Sequence, residues 1–154
     1  MDHIDRLLLA ELQRDATQSY AVLGMSVGLS ASAAHERVRK LRESCVIRRT
    51  AVEVNPAAVG GGVLSFVTVN STSWLGRSSE AFAAIPDVLE AHVIAGSAAL
   101  LMKVRTANAE QLQDVLRRIY GVAGVTGAQA TVVLETFFER QISPLLVEED
   151  PPRL

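Results

Sequence analysis

The stretch Val27-Gly28-Leu29-Ser30-Ala31-Ser32-Ala33-Ala34-His35-Glu36-Arg37-Val38-Arg39-Lys40-Leu41 decides how the first third of the chain is read. Gly28 accepts the left-handed backbone that closes a helix, and Ser30 can cap the N–H groups that open the next one. At about 100° per residue, Ala34, Val38 and Leu41 share one face of that helix, which is predicted to run to about Ser44. Ser32, Glu36, Arg39 and Lys40 project from the other side, with Ala33 and Arg37 beside them. Upstream, Ser19 caps a short helix marked by Tyr20, Leu23 and Val27. The polar run 15–19 is a turn. Asp2 caps a first helix whose Ile4, Leu7, Leu8 and Leu12 recur at helical spacing. Two short helices, a glycine turn and a third helix with a polar, basic outer face form a helix-turn-helix pattern.

The second helix of such a pair enters the major groove of double-stranded DNA by its first two turns, and flanking cations hold phosphates. Ser30, Ser32, Ala33, Glu36, Arg37, Arg39 and Lys40 are therefore the candidate DNA-facing residues. Any three-helix subdomain shows the same periodicities, so simple packing is the competing reading. Charge points the same way. The 154 residues carry a formal net charge of −2. Residues 1–49 hold eight cations against six carboxylates, which leaves −4 for the remainder. Arg37, Arg39, Lys40, Arg42, Arg48 and Arg49 stand within 13 residues against Glu43 alone. That local excess suits a polyanion, although a solvated helix face would carry it too.

The rest of the chain changes character. The β-branched run 50–54 reads as a strand, Asn55-Pro56 ends it, and Gly60-Gly61-Gly62 reads as a hinge. Strand, helix, strand, strand, helix and strand then follow at 63–70, 78–84, 88–95, 100–105, from Asn108 to Gly121, and 128–138. A short edge strand is expected at 142–147. This βαββαβ order is the ferredoxin-like arrangement. The chain is thus predicted to be α+β, with a winged-type helix-turn-helix at 1–49, a strand and hinge at 50–62, a βαββαβ domain at 63–147 and a mobile tail at 148–154. Helices cover one face of such a sheet. The other carries Leu64 and Phe66 and is expected to meet a second copy of the chain.

The whole span from Asp2 to about 146 resembles the Lrp/AsnC, or feast/famine, transcriptional regulators. The resemblance rests on Ile4-Asp5-Arg6, Leu9, Leu12-Gln13-Arg14-Asp15, Val27-Gly28-Leu29-Ser30, Arg37-Val38-Arg39-Lys40-Leu41 and Val46-Ile47. Asn55-Pro56 before Gly60, Pro86-Asp87-Val88-Leu89-Glu90, the strand–Gly96–strand hairpin and Gly124-Val125 complete it. It implies a DNA-binding domain joined to an effector-sensing domain, promoter DNA as partner, dimers often assembled into octamers, and an amino acid or related metabolite as effector. Four positions depart from the family's usual residues. Gly24 replaces an alanine, a helix weakness of roughly 1 kcal/mol. Glu36 stands where a basic residue is common; it suits the amino group of a cytosine or, alternatively, only weakens phosphate binding. Cys45 replaces a glycine and would be mildly strained in a left-handed conformation. Ala99 replaces a frequent aspartate in the turn Gly96-Ser97-Ala98-Ala99, which the resemblance places at the effector site. Glu135, on the last strand, is the remaining carboxylate for that site, and a solvent-facing strand residue is the alternative. A free α-amino acid therefore lacks its usual cation site here.

Other chemistries fare worse. Aromatic residues make up 5% of the chain, so Ala, Val and Leu must build its core. One cysteine excludes a disulfide scaffold and a four-cysteine zinc site. Cys45 reads as a buried inert thiol or, alternatively, a redox sensor. His3, His35 and His92 are too scattered for one metal motif, and no nucleophile elbow, P-loop or dinucleotide fingerprint occurs. No catalytic residue, metal or cofactor is expected. No apolar run reaches the roughly 18 residues of a membrane span, and residues 1–6 lack the pattern of a signal peptide, so a cytoplasmic protein without a membrane partner is expected. Two alternatives remain. One is a siroheme decarboxylase of the same two-domain fold, for which His92 is the available histidine. The other is a metabolite-binding oligomer that does not bind DNA.

Overall fold

The computed structural model describes residues 1–145. The chain forms two compact units, Met1–Val52 together with the segment from Phe138, and Glu53–Phe137.

Three helices build the first unit: α1 His3–Arg14, α2 Tyr20–Ser26 and α3 Ala31–Glu43. Each begins at the expected cap. Asp2 accepts from the Asp5 N–H at 2.8 Å while the Asp5 carboxylate accepts from the Asp2 N–H at 3.0 Å, a reciprocal capping box. Ser19 and Ser30 accept from the backbone of Val22 and Ala33. Leu8, Leu23, Ala34 and Val38 are fully buried together, ringed by Ile4, Leu12, Tyr20, Val27, Leu29 and Ile47. Gly28 takes φ +73° at the turn. Gly24 is no weakness. A Cβ there would lie 2.7 Å from the Leu29 carbonyl oxygen and 2.9 Å from that of Ser30. In this chain the α2–α3 turn closes so tightly that a Cβ at position 24 would have to displace backbone, and this packing requirement opposes helix propensity.

Four expectations fail in and beside this unit. No wing strands follow α3 among the described residues. Residues 50–54 form no strand, and Val52 is 88% exposed, because a β-branched run becomes a strand only beside a neighbour that pairs with it. Residues 142–145 form no edge strand, and the remainder of that expected strand and the tail lie outside the described residues. The segment instead lies along α1, where Arg6 Nη1 donates to the Pro144 carbonyl at 3.2 Å and Gln13 Nε2 to that of Ile142 at 3.0 Å. Cys45 is exposed rather than buried, and its φ of +58° carries the strain expected where glycine is usual.

The second unit runs β1 Val63–Ser71, α4 Ser79–Ala83, β2 Val88–Val93, β3 Leu100–Thr106, α5 Ala109–Tyr120 and β4 Val125–Val132. The strands lie in the order β2-β3-β1-β4, every neighbouring pair antiparallel. Val67, Val69, Met102 and Val104 on the sheet pack against Phe82 and Ile85 from the α4 side and Leu112, Val115 and Ile119 of α5. Both helices therefore cover one face. Asn108 caps α5 by accepting from the Gln111 N–H at 2.9 Å. The last strand is shorter than the expected 128–138. Val133 N–H still donates to the Leu64 carbonyl at 2.9 Å, but β1 begins at Val63 and offers nothing further to pair with. Leu134 and Phe137 consequently stand exposed. The glycine run expected to hinge is fastened: the Gly61 carbonyl accepts from Arg105 Nη1 at 3.2 Å, and its N–H donates to Pro56 at 2.8 Å.

Candidate nucleic-acid interface and effector turn

Helix α3 owes its outer face to its inner one. Burial of Ala34, Val38 and Leu41 fixes the roll of the helix and turns Ser32, Glu36, Arg39 and Lys40 outward. Within this face the side chains are already engaged. Arg39 Nε donates to Glu36 Oε2 at 2.9 Å and its Nη2 to Glu36 Oε1 at 2.6 Å, a two-pronged match of guanidinium and carboxylate. The third nitrogen, Nη1, donates to Glu43 Oε1. Lys40 Nζ lies 3.7 Å from Glu36 Oε1. The hydrogen bonds from Arg39 hold the Glu36 carboxyl below its ordinary range, and the same contacts hold the Arg39 guanidinium above its own. Both groups are ionised at any pH where DNA is handled.

Arg37 points elsewhere. Its Nη1 donates to Asp2 Oδ2 at 2.7 Å and to Asp5 Oδ1 at 2.8 Å, so it ties α3 to the capping box of α1. The Asp2 carboxyl is lowered first by the Asp5 backbone N–H and then by Arg37. Ser30 is occupied by its capping bond and lies 3.1 Å from Ser32 Oγ. Arg42, Arg48 and Arg49 are exposed, with no acidic partner shown among the described residues. They entered the local charge count but not the expected DNA-facing set. Helix periodicity singled out the outward residues of α3, whereas these three follow from counting charges and subtracting the paired ones.

In the second unit the turn Gly96-Ser97-Ala98-Ala99 joins β2 to β3, and Gly96 takes φ +149°. Ala99 N–H donates to the Val69 carbonyl at 2.9 Å, which puts the turn beside the C-terminal end of β1. Glu135 is exposed and lies beyond β4 rather than on it. Since Val132 pairs with Ser65, Glu135 belongs to the opposite end of β1, whose Val63 is roughly 20 Å from Val69 at about 3.4 Å per residue. One chain does not bring Glu135 to the turn. A cleft of about 480 Å³ opens between α4 and the end of α5, lined by Ala81, Ala84, Ile85, Arg118 and Gly121 among others, and none of the five expected effector residues lines it. No group of three His, Cys, Asp or Glu suited to a metal occurs among the described residues. No helix among them is long and apolar enough to cross a membrane.

Known proteins share both units. Residues 1–42 match the AsnC-type helix-turn-helix domain, and residues 63–142 the Lrp/AsnC ligand binding domain. The HTH-type transcriptional regulator FL11 of Pyrococcus horikoshii is 33% identical over 148 residues, which span 94% of this chain and 97% of that protein. The HTH-type transcriptional regulator LrpA of Mycobacterium tuberculosis is 33% identical over 147 residues, covering 94% and 97%. The solved structure of the M. tuberculosis feast or famine regulatory protein complexed with L-methionine is 34% identical with a TM-score of 0.82, over 93% of this chain and 99% of that one.

Proposed function

The chain belongs to the Lrp/AsnC family of DNA-binding transcriptional regulators, and from that premise we propose how it meets its promoter and its effector. Helix α3 enters the major groove, with Ser30, Ser32, Ala33, Glu36, Arg39 and Lys40 forming the docking surface. Arg37 serves it by bracing α3 on α1. The observation that carries this reading is the outward, polar face of a helix whose opposite side is fully buried. Lys40 and the exposed Arg42, Arg48 and Arg49 hold phosphates. The protein acts in the cytoplasm as a homodimer or a larger ring of dimers, a reading supported by the exposed Phe66, Leu134 and Phe137. Footprinting on the DNA upstream of its own gene is expected to show two half-sites about 10 bp, or a multiple, apart. Lys40→Ala and Arg48→Ala are each expected to flatten the log–log dependence of affinity on salt by about 1 while leaving the preferred sequence unchanged. Unaltered salt slopes in both variants would show that α3 does not dock this way.

We further propose that the Glu53–Phe137 unit receives a small metabolite near the turn at residues 96–99. That turn offers the Ser97 hydroxyl and backbone N–H groups but no side-chain charge. Such a turn can serve a carboxylate and leaves an ammonium group with carbonyls alone. The relative crystallised with L-methionine supports a ligand of that size. Calorimetric titration with the twenty common amino acids is expected to give no affinity tighter than about 10 μM, roughly −7 kcal/mol. A tighter hit would place a cation site here that the turn itself does not supply.

A further inference from the structure

We propose that Glu36 sets sequence preference by accepting a hydrogen bond from a cytosine amino group, and that Arg39 is its positioning residue rather than a phosphate contact. The inference rests on the docking of α3 in the major groove. Glu36 is the sixth residue of α3, within the first two turns, where side chains reach base edges. Its two oxygens are matched one-to-one by Arg39 Nε and Nη2 at 2.9 and 2.6 Å. A guanidinium fork filled by a carboxylate is not free to grip a phosphate in the same way, and here the third nitrogen is given to Glu43 as well.

The pairing has two consequences for Glu36. It offsets the repulsion that a bare carboxylate meets between two phosphate backbones. It also fixes the side chain, which holds a long rotamer-rich group in one pose before DNA arrives. Accepting capacity survives, because each carboxylate oxygen has two lone pairs and Arg39 takes one from each. The charge selects the base. The major-groove donors are the amino groups of cytosine and adenine. Adenine sets its N7 acceptor next to that amino group, and a carboxylate meets N7 with repulsion. Cytosine presents its amino group without an acceptor on the same base edge. A carboxylate held by its own arginine therefore takes cytosine.

The test uses the full-length protein, a pool of duplexes randomised over 30 bp and salt titrations on the selected sequences. The native protein is expected to select cytosine at one position of each half-site. Glu36→Gln is expected to move that position to adenine, whose amino group and N7 suit an amide, with about a tenfold change in preference. Arg39→Lys keeps the charge but removes the fork. It is expected to lose about tenfold of the cytosine preference with the salt slope unchanged, the reverse of Lys40→Ala. If Glu36→Gln selects the native sequence, or Arg39→Lys keeps the native preference in full, the assignment is overturned while DNA binding stands. If the native protein is not retained by any duplex at low salt, the docking itself falls, and this assignment with it.

Discussion

Leu8→Ala is expected to cost the helical unit about 2–5 kcal/mol and to abolish DNA binding at physiological temperature. Leu8 is fully buried and sits where α1 meets Leu23 of α2 and Ala34 and Val38 of α3, so its truncation leaves a void touching all three helices. A unit of this size holds only a few kcal/mol of stability in total, which makes the loss decisive. The sheet unit has a separate core of Val67, Val69, Met102, Val104, Val115 and Ile119 and should not notice. Thermal melting followed by circular dichroism should show the helical transition lost or moved down and the other unmoved. Retention of promoter DNA should vanish in parallel. Equal displacement of both transitions would mean that the two cores unfold as one.

Gly24→Ala carries the second large effect, and its sign is the informative part. Helix propensity alone favours alanine by about 1 kcal/mol. The contacts oppose it. A methyl group 2.7 and 2.9 Å from the carbonyl oxygens of Leu29 and Ser30 must push the start of α3 away. The Ser30 carbonyl accepts from Ala34 N–H at 3.0 Å, and the Gly24 carbonyl accepts from Leu29 N–H at 2.8 Å. The displacement therefore strains the first hydrogen bond of α3 and the turn itself. A net loss of about 1–3 kcal/mol is expected. A melting temperature of the helical unit higher than that of the native protein would show that the turn relaxes without cost.

The two positions differ in what a reader of the sequence can see. Leu8 announces itself, because its spacing from Ile4 and Leu12 is helical and apolar. Asp2, Ser19, Ser30 and Asn108 are equally legible, since capping depends on residues three or fewer positions away. The left-handed backbone at Cys45 was legible too, from the glycine usual at that place in the family. Gly24 was not, because its constraint comes from oxygens five and six residues on, across a turn whose tightness no propensity records. The limits of β4 were hidden for the same reason. Residues 133–138 have strand composition, yet they pair only as far as β1 extends. The site shows the same division. The outward residues of α3 followed from periodicity, but the partners of Arg37 on α1 and the filled fork of Arg39 are matters of three-dimensional distance. Glu135 was placed by its assumed strand, and the register of β4 on β1 moves it to the far end of the sheet.

The course of the chain after β4 gives the two units an unequal status. From Phe138 the backbone rejoins α1 through the bonds from Arg6 and Gln13, so residues 138–145 belong to the helical unit. Topologically the sheet unit is an insertion, spliced between Val52 and Phe138 of the helical unit. Two covalent crossings connect it to its host, one at each splice point. Residues 138–145, although they follow the sheet unit in sequence, are thereby part of the helical unit. Alterations at positions 138–145 belong with those in α1, and a map of mutant phenotypes drawn along the linear sequence would assign them to the wrong half of the molecule.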